Sequence, residues 1–577
     1  MINEIFIDEV HSFNGRDEIA DFLNNHFANI GPQLASQLPN PTEPFHHYMN
    51  STSSNFSLSR IHPSEVLNIL KKLITNKSAG LDHIPNKLLK IAADIIAEPL
   101  CFLFNASISS GYIPSDWKVA KIFPLHKGNS KSNPNNYRPI SILSSISKVM
   151  EKLVYNQLCA YLLDNNLLNK YQSGFRSFHS TTTALLDACN QWYFNIDNGH
   201  ITSVVFLDLA KAFDTIDHNI LLEKLRLLGV GDNSLPWFKS YLSGRHQRCE
   251  LDGFLSKDKP ISCGVPQGSI LGPLLFLIYI NDLPCSLNYS KARMFADDTN
   301  LTITASCFSD LESMVNNELT SIGQWLIANR LSLNVLKTEY LLVCSKYKAA
   351  QLTFPLQIKF GDDPIKRVHY SKSLGVYIDE HLSWSNHVDH IAKKISAGLA
   401  GLKQVRPFVP KEILIMIYKS LILPLFDYCD VVWVGLNKGL SERFDKLHNR
   451  AARIITQSEW DVRSAEILKM LQWDTLGVRR HHHTAIMMHK IIHNKAPEYL
   501  TEAFHLVRDT TIYNLRDSNL NLALQKPNTE NLKESFSYRG AKLWNSLPST
   551  IKAEPSLEVF RKSLRSLGLH DINSDTF

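Results

Sequence analysis

Three aspartates are the residues of this sequence best suited to chemistry. Asp297 and Asp298 are adjacent, and Asp208 directly follows the apolar run at residues 204–207. Neighbouring carboxylates repel each other, so this placement gains nothing unless a cation neutralises the charges. An oxygen-only set of ligands suits Mg²⁺. For Asp297 and Asp298 taken alone, a solvated turn is the simpler interpretation.

Two magnesium ions in such a site would support nucleotidyl transfer. Ions held roughly 3.5 to 4 Å apart can activate an attacking 3′-hydroxyl and stabilise a leaving pyrophosphate. Because Asp208 is far from the other two aspartates in the sequence, this chemistry depends on the elements that carry them.

The flanking residues predict those elements. Residues 292–295 and 300–304 are rich in apolar, β-branched or aromatic side chains, which predicts a β-hairpin with the acidic pair at its turn. Residues 204–207 have the length and apolar character of a buried central strand that brings Asp208 to its end. A lone charge there would be costly unless it were paired or bound to a metal.

Basic residues elsewhere in the chain could hold a triphosphate. Residues 115–127 and 136–141 are two extended segments joined by a polar turn, which Lys127 and Arg138 flank. Lysine would act as a point charge and arginine as a fork, and the alternative is that both are solvated. Lys337 could donate a proton to departing pyrophosphate, and the alternative is a plain surface lysine.

Two loops could contact a substrate. The loop at residues 263–273 contains Gln267 and Gly268, and its glycines would let backbone approach a ligand while the next helix favours phosphate at its N-terminus. The loop at residues 171–181 interleaves aromatic residues with Arg176, which suits a single-stranded template. A capped helix start explains the hydroxyl side chains of that second loop equally well.

The segment after Asp208 contains Phe213, five residues further on, where a ring could lie beneath an incoming sugar. Three polar residues follow it: Asp214, Asp217 and His218. We interpret these as helix-start and loop groups and assign them no catalytic part.

A helical pattern follows residue 384. It includes an apolar stripe beside a ridge of four basic residues, Arg443, Lys446, Arg450 and Arg453. This ridge would suit lying along a duplex, and a solvated face is the alternative. The histidines at residues 481–483 cannot all point one way on a helix, so we interpret them as surface residues and not as metal ligands.

Composition places the chain among globular proteins of several lobes. It has 577 residues, 44% of them hydrophobic and 20% charged, with a formal net charge of +6. Residues 111–180 carry nine Lys or Arg against three acids, which predicts a local phosphate-facing surface. The nine cysteines form no C-x-x-C motif, so neither a zinc site nor a disulfide framework is indicated. Without a signal peptide or a long apolar segment, we expect a soluble intracellular protein without membrane contact.

Seven motifs then occur in a set order: YRPIS (137–141), QSGFR (172–176), FLDLAKAFDTIDH (206–218), GVPQGSILGPLLF (264–276), FADD (295–298), LSLNVLKTE (331–339) and SLGVYID (373–379). Any one could be accidental, but seven in this order are highly specific. The chain resembles the reverse transcriptases of non-long-terminal-repeat (LINE-type) retrotransposons, particularly the jockey-like group, over roughly residues 60–500.

The resemblance implies an α+β right-hand polymerase fold with fingers, a palm containing an antiparallel sheet, and a helical thumb. The implied reverse transcriptase domain covers about residues 105–380. The implied divisions are a lead-in or linker remnant (1–60), fingers with an N-terminal extension (61–200), palm (201–345), a primer-grip-like hairpin (346–384), thumb (385–500) and a C-terminal tail region (501–577).

The resemblance also implies roles for single residues. Asp208, Asp297 and Asp298 would bind two Mg²⁺ ions, with Mn²⁺ as a substitute, and Lys337 would be the proton donor. Nucleotide binding would fall to Lys127, Arg138, Phe213 as a steric gate, Gln267 and Gly268. The implied partners are an RNA template, a DNA primer or target, and deoxynucleoside triphosphates, in a ribonucleoprotein of the nucleus or cytoplasm.

The departures from the family lie outside the polymerase. Elements of this type usually encode an endonuclease ahead of this region, and about 60 residues leave no room for one. We therefore expect a truncated element or a partial gene. An RNA-synthesising palm polymerase and a catalytically retired RNA-binding relic are the alternative functions.

Overall fold

The computed structural model describes residues 15–459, 461–510 and 519–567, together with the strands Ile5–Phe6 and Ser12–Phe13. The strands are β1 (Ile5–Phe6), β2 (Ser12–Phe13), β3 (Val119–His126), β4 (Tyr137–Ile142), β5 (Ile201–Leu207), β6 (Arg245–Leu251), β7 (Phe254–Leu255), β8 (Lys259–Ile261), β9 (Lys291–Phe295), β10 (Asp298–Ala305), β11 (Glu339–Val343), β12 (Lys359–Phe360), β13 (Asp363–Pro364), β14 (Lys366–Val368), β15 (Tyr370–Ser373) and β16 (Val376–Asp379).

Helices account for most of the remaining secondary structure. They are α1 (Arg16–Ser36), α2 (Pro63–Lys71), α3 (Asn86–Ile91), α4 (Ala93–Ser110), α5 (Ser145–Asp164), α6 (Thr181–Asp197), α7 (His218–Leu227), α8 (Leu235–Leu242), α9 (Leu271–Ile280), α10 (Phe308–Ala328), α11 (Lys346–Ala349), α12 (Ser385–Val405), α13 (Lys411–Ile417), α14 (Leu423–Asp427), α15 (Lys438–Thr456), α16 (Ser464–Leu471), α17 (Leu476–Ile492), α18 (Glu498–Thr501), α19 (Val507–Thr510), α20 (Glu530–Lys533), α21 (Phe536–Ser546), α22 (Ser549–Lys552) and α23 (Leu557–Ser566).

The chain forms two compact units, each made of discontinuous segments. The first unit takes Met1–Phe175, Leu207–Asn288 and Asn317–Lys337, and the second takes Arg176–Phe206, Tyr289–Asn316 and Thr338–Phe577. The fold is mixed α and β, as the sequence predicts. Its division into fingers, palm and thumb, with the boundaries given above, stays a prediction.

A sheet in the order β4-β3-β6-β7, with β8 also paired to β6, is the framework of the first unit. Strands β3 and β4 pair antiparallel, which confirms the hairpin predicted around the polar turn. Helix α1 packs on this sheet, and its Ile19, Leu23 and Phe27 are buried in the core. The apolar side chains of residues 16–36 therefore complete a core, and the division of residues 1–60 as a lead-in or linker remnant stays a prediction.

Helix α9 is the most apolar helix of the first unit. Almost every side chain from Leu271 to Ile280 is buried, and the helix packs between α5 and α7. Because apolar residues surround it on all sides, the helix has no solvated face, which is typical of a helix at the centre of a unit.

The second unit contains a five-stranded sheet in the order β14-β11-β5-β10-β9. Strand β5 lies at its centre, and Val204 and Val205 are fully buried, which confirms the predicted central strand. Strands β9 and β10 pair antiparallel and confirm the predicted acidic hairpin. The sheet carries β5 and the hairpin as neighbouring strands.

Helices make up the rest of the second unit. Helix α12 packs against α15, and α17 packs against α21 and α23. The start of α15 is fixed by Asn437, whose side chain accepts a hydrogen bond from the backbone N–H of Leu440. Along the predicted apolar stripe of α15, Phe444 and Ala451 are buried. Among the described residues, none of the helices combines the length and apolar character that crossing a bilayer requires.

Candidate active site

Asp208 is held at the end of β5 by the backbone of the LSLN segment. The backbone N–H of Asn334 donates to the carbonyl of Asp208 at 2.8 Å, and that of Ala210 donates to the carbonyl of Ser332 at 2.9 Å. Leu209 and Leu333 form an antiparallel bridge between these hydrogen bonds. Two sequence motifs, FLDLAKAFDTIDH and LSLNVLKTE, are therefore side by side in the first unit.

The acidic hairpin of the second unit has a two-residue loop. Phe295 and Asp298 are paired across β9 and β10, which leaves Ala296 and Asp297 as the loop. Ala296 has a φ of +56°, an unusual value for a residue with a side chain. Asp298 is exposed and Asp297 is half-buried. Asp208 belongs to the first unit and this pair to the second, so their convergence stays a prediction.

Four basic side chains, Lys127, Arg138, Lys211 and Lys337, form a cluster in the first unit, and Lys127 also interacts with Asp208. Burial and the positive charges of Arg138, Lys211 and Lys337 lower the pKa of Lys127, whereas the carboxylate of Asp208 raises it. Three of these basic residues were predicted from the sequence as triphosphate ligands or proton donor. The structure brings them together in one cluster beside a predicted catalytic acid.

Lys211 is the member of this cluster that the sequence interpretation missed. Its ammonium donates to the carbonyl of Asn135 at 3.4 Å, in the turn between β3 and β4. Burial lowers its pKa, Asp214 raises it, and the charges of Lys337 and Arg138 lower it again. The sequence could have indicated Lys211, because it lies three residues after Asp208 within the motif FLDLAKAFDTIDH.

Phe213 lies against the central helix of the first unit. Its ring stacks on Phe276 of α9, with the centroids 4.4 Å apart and the planes inclined by 22°. Its carbonyl accepts a hydrogen bond from the backbone N–H of Val265 at 2.9 Å. The ring is therefore fixed between α9 and the glycine-containing loop, and its role as a steric gate stays a prediction.

The loop that contains Gln267 and Gly268 is fastened to β4. The backbone N–H of Ser141 donates to the carbonyl of Gln267 at 2.8 Å. Gly268 has a φ of +135°, and a Cβ added there would lie 2.3 Å from the carbonyl oxygen of Ser141. This position requires glycine because of both its backbone conformation and the close approach of β4.

The N-terminus of α9 is not available to a phosphate, which corrects the prediction from the sequence. The buried carboxylate of Glu151 accepts hydrogen bonds from the backbone N–H groups of Ile270 at 2.5 Å and Leu271 at 3.2 Å. The hydroxyl of Ser269 accepts another from Gly272. Internal side chains already fill the positions that an anion would take at a helix start.

Asp217 has the role that the sequence interpretation gave it. Its carboxylate accepts hydrogen bonds from the backbone N–H groups of Asn219 at 2.8 Å and Ile220 at 3.1 Å, which caps α7. The ring of His218 bonds to the carbonyl of Gly264 at 2.7 Å. Asp214 is different, because its carboxylate contacts the side chain of Gln267.

Arg176 precedes α6 in the second unit and is half-buried, whereas Phe178, two residues later, is exposed. The hydroxyl side chains of the same loop cap the helix: Ser180 accepts from the backbone N–H of Thr183, and the Thr183 hydroxyl accepts from that of Ser180. The capping interpretation is therefore confirmed for these two residues. Template contact by Arg176 stays a prediction.

The basic ridge of α15 is only partly available to a nucleic acid. Arg443 pairs with Asp389 of α12. The guanidinium of Arg453 donates to the carbonyl of Val462 at 2.7 Å, so it holds the connection to α16. Lys446 and Arg450 are exposed. A role of these four residues in duplex binding stays a prediction.

A second group of possible metal ligands occurs in the second unit, where ligand atoms of Asp427, Asp430 and His483 lie within 4.8 Å of one another. Asp430 bonds to the ring of His483 at 2.6 Å, and Asp427 forms a two-point ion pair with Arg479. The three histidines at residues 481–483 are half-buried rather than exposed. The hydrogen bond between Asp430 and His483 and the ion pair between Asp427 and Arg479 are sufficient to explain why these side chains lie close together.

Part of the chain matches a known protein family. Residues 126–393 match the family described as "Reverse transcriptase (RNA-dependent DNA polymerase)". That range contains Asp208, the acidic hairpin and all four residues of the basic cluster.

Individual relatives extend the similarity beyond this range. The chain is 30% identical to the "Probable RNA-directed DNA polymerase from transposon X-element" of Drosophila melanogaster, over 73% of this chain and 46% of that protein. It is 28% identical to the polymerase from transposon BS of the same organism, over 77% of this chain and 50% of that protein. It is also 28% identical to the polymerase from mobile element jockey of Drosophila melanogaster, over 73% of this chain and 46% of that protein.

The chain spans about half the length of the curated relatives that it matches. The family match and the names of the relatives indicate the same family as the seven motifs and their order. The chain therefore contains a reverse transcriptase domain of the kind found in jockey-like non-long-terminal-repeat retrotransposons.

Proposed function

We propose that this chain is an RNA-directed DNA polymerase that copies an RNA template into DNA by two-metal nucleotidyl transfer. The observation that supports this most is the cluster of Lys127, Arg138, Lys211 and Lys337, in which Lys127 interacts with Asp208. Like charges gather in this way only at a free-energy cost, which a bound polyanion such as a triphosphate offsets. The relatives' names, which specify RNA-directed DNA polymerases, support the choice of template and product.

The donor chemistry of the three aspartates fits Mg²⁺. They offer only carboxylate oxygens, the ligands that Mg²⁺ prefers, and none of the three side chains is fully buried. When bound, a pair of such ions supplies charge neutralisation for the attacking 3′-hydroxyl and the leaving pyrophosphate. Mn²⁺ could substitute, because it accepts the same oxygen ligands.

The other residues of the cluster would bind and orient the nucleotide. Lys127, Arg138 and Lys211 would hold the triphosphate, and Lys337 would give a proton to pyrophosphate as it leaves. Gln267 and Gly268 would contact the nucleotide and the template. The ring of Phe213, fixed by its stacking on Phe276, would exclude a ribose 2′-hydroxyl.

Primer extension with and without an acidic ligand tests this function. Purified protein is expected to extend a DNA primer on an RNA template with Mg²⁺. Asp297→Asn should abolish extension and leave binding to the template–primer duplex unchanged, because one neutral amide cannot replace a carboxylate ligand. Asp116→Asn, at an exposed carboxylate of the first unit, is the matched control and should retain full activity.

Two results would contradict the proposal. A folded wild-type protein that binds the duplex and does not extend it would favour the RNA-binding relic. Equal incorporation of ribonucleotides and deoxyribonucleotides would favour the RNA-synthesising polymerase.

A further inference from the structure

Asp214 and Gln267 form a side-chain pair that the sequence interpretation did not anticipate. The amide nitrogen of Gln267 lies 2.7 Å from one carboxylate oxygen of Asp214 and 2.9 Å from the other. An ionised carboxylate only accepts hydrogen bonds, so the NH₂ group of the amide must face it. The amide oxygen of Gln267 must then face the opposite way, as an acceptor.

The backbone around this pair is fixed by other hydrogen bonds. The N–H of Val265 donates to the carbonyl of Phe213 at 2.9 Å, and that of Gly264 donates to Ile216 at 2.8 Å. The thiol of Cys263 also bonds to the carbonyl of Asp214 at 3.3 Å. Because these bonds do not use the Asp214 carboxylate, its removal should leave the loop in place and free only the amide of Gln267.

The charges around Asp214 connect the pair to the basic cluster. Burial raises the pKa of Asp214 to about 6, against the hydrogen bond from Gln267 and the positive charges of Lys211, Lys127 and Arg138. The same residues that would hold the triphosphate thus keep this half-buried carboxylate largely ionised at neutral pH. Asp214 is therefore part of the nucleotide-binding electrostatics, although the sequence interpretation gave it no such part.

We propose that Asp214 is a positioning residue for nucleotide binding, which fixes the amide of Gln267 with its oxygen turned outward to accept a hydrogen bond from the incoming nucleotide. The inference rests on the proposed function, because it assumes that Gln267 contacts the nucleotide. The bonding partner on the ligand is a hydroxyl or N–H donor. In this role Asp214 acts through Gln267.

Single-nucleotide primer extension on the full chain tests the inference, with KM for the nucleotide and kcat measured separately. Asp214→Asn preserves size and allows the Gln267 amide to adopt either orientation, because asparagine both donates and accepts. We expect KM to rise about 10-fold, because the nucleotide must then bind to an amide that is no longer held with its oxygen outward, while kcat changes less than threefold. The exposed Asp116→Asn variant should leave both values unchanged.

A double-mutant cycle separates positioning from a direct role. In the Gln267→Leu background, where no amide remains to be oriented, Asp214→Asn should raise KM no further. Independent, multiplying effects of the two substitutions would overturn the inference, and so would an unchanged KM for Asp214→Asn. A loss of kcat equal to the rise in KM would also contradict it, because that would indicate a general structural role.

The test remains decisive even if the proposed function fails. Binding of a fluorescent deoxynucleoside triphosphate can be measured by titration without primer or turnover. Wild-type binding without extension would reject the polymerase function alone, provided that Asp214→Asn weakens binding about 10-fold. Equal affinity of wild type and Asp214→Asn, or no nucleotide binding by the wild type, would reject the positioning role.

Discussion

The buried ion pair between Lys224 and Asp282 gives a stability prediction for the first unit. The ammonium of Lys224 lies 2.7 Å from a carboxylate oxygen of Asp282, and the two side chains are 0% and 4% exposed. The same ammonium donates to the carbonyl of Tyr279 at 2.5 Å. The rings of Tyr279 and Trp325 lie 5.0 and 5.5 Å from it. The pair therefore joins α7 to the end of α9, the helix on which Phe213 stacks.

Lys224→Met is the informative perturbation, because it keeps the length of the side chain and removes its charge. Asp282 would then stay buried without its cation, which costs about 3 to 5 kcal/mol of unfolding free energy. Burial already raises the pKa of Asp282, and the charge of Lys224 opposes this. Protonation of Asp282 in the variant relieves part of the cost, so the lower end of the range applies at acidic pH.

The double variant Lys224→Met/Asp282→Asn isolates the interaction. With both charges removed, the loss of unfolding free energy should be about 2 kcal/mol smaller than in Lys224→Met alone. The control is Arg226→Met, which removes an exposed ion pair with Glu223 on the same helix. It should change the free energy of unfolding little.

Hydrogen exchange in α7 and α9 is the suitable assay, because a chain of two compact units need not unfold in one step. Protection of these amides should fall in Lys224→Met and recover in the double variant. Wild-type protection in Lys224→Met would contradict a stabilising role of the ion pair. So would a double variant whose loss of stability equals the sum of the losses in Lys224→Met and Asp282→Asn.

The other predictions concern the gate, the glycine loop and a buried histidine. Phe213→Val should raise ribonucleotide incorporation in primer extension by about 10-fold or more, because the ring would no longer exclude the 2′-hydroxyl. The control Phe354→Val, at an exposed ring, should not change it. Equal selectivity of Phe213→Val and wild type would reject the role of Phe213 as a steric gate. Gly268→Ala should abolish extension and lower protection of β4, because its Cβ meets the Ser141 carbonyl at 2.3 Å, whereas Gly253→Ala, which has only the positive φ, should be milder. Burial lowers the pKa of His448 to about 4, so the unfolded chain binds more protons between pH 6.5 and 4, and the free energy of unfolding decreases as the pH is lowered through that window. His448→Gln should remove up to about 3 kcal/mol of that pH dependence in chemical unfolding, and an unaltered slope would contradict the shift.

The sequence alone determined the elements that carry the predicted metal ligands. Alternating and continuous apolar patterns fixed the central strand before Asp208, the hairpin at Asp297 and Asp298, and the hairpin between Lys127 and Arg138. These features depend on the spacing of apolar residues and on the composition of the turns, and both can be read from residues close together in the sequence. The order of motifs likewise indicated the family that the comparisons support.

Only the tertiary structure decided which polar side chains meet. Glu151 caps α9 from a distant helix, so the helix start predicted to bind phosphate is already occupied. Asp214 faces Gln267, Lys211 joins the basic cluster, and α1 completes a core with the sheet of the first unit. Partners far apart in sequence are chosen by packing and by the free-energy cost of leaving a buried polar group without a hydrogen bond, and no local pattern records that choice.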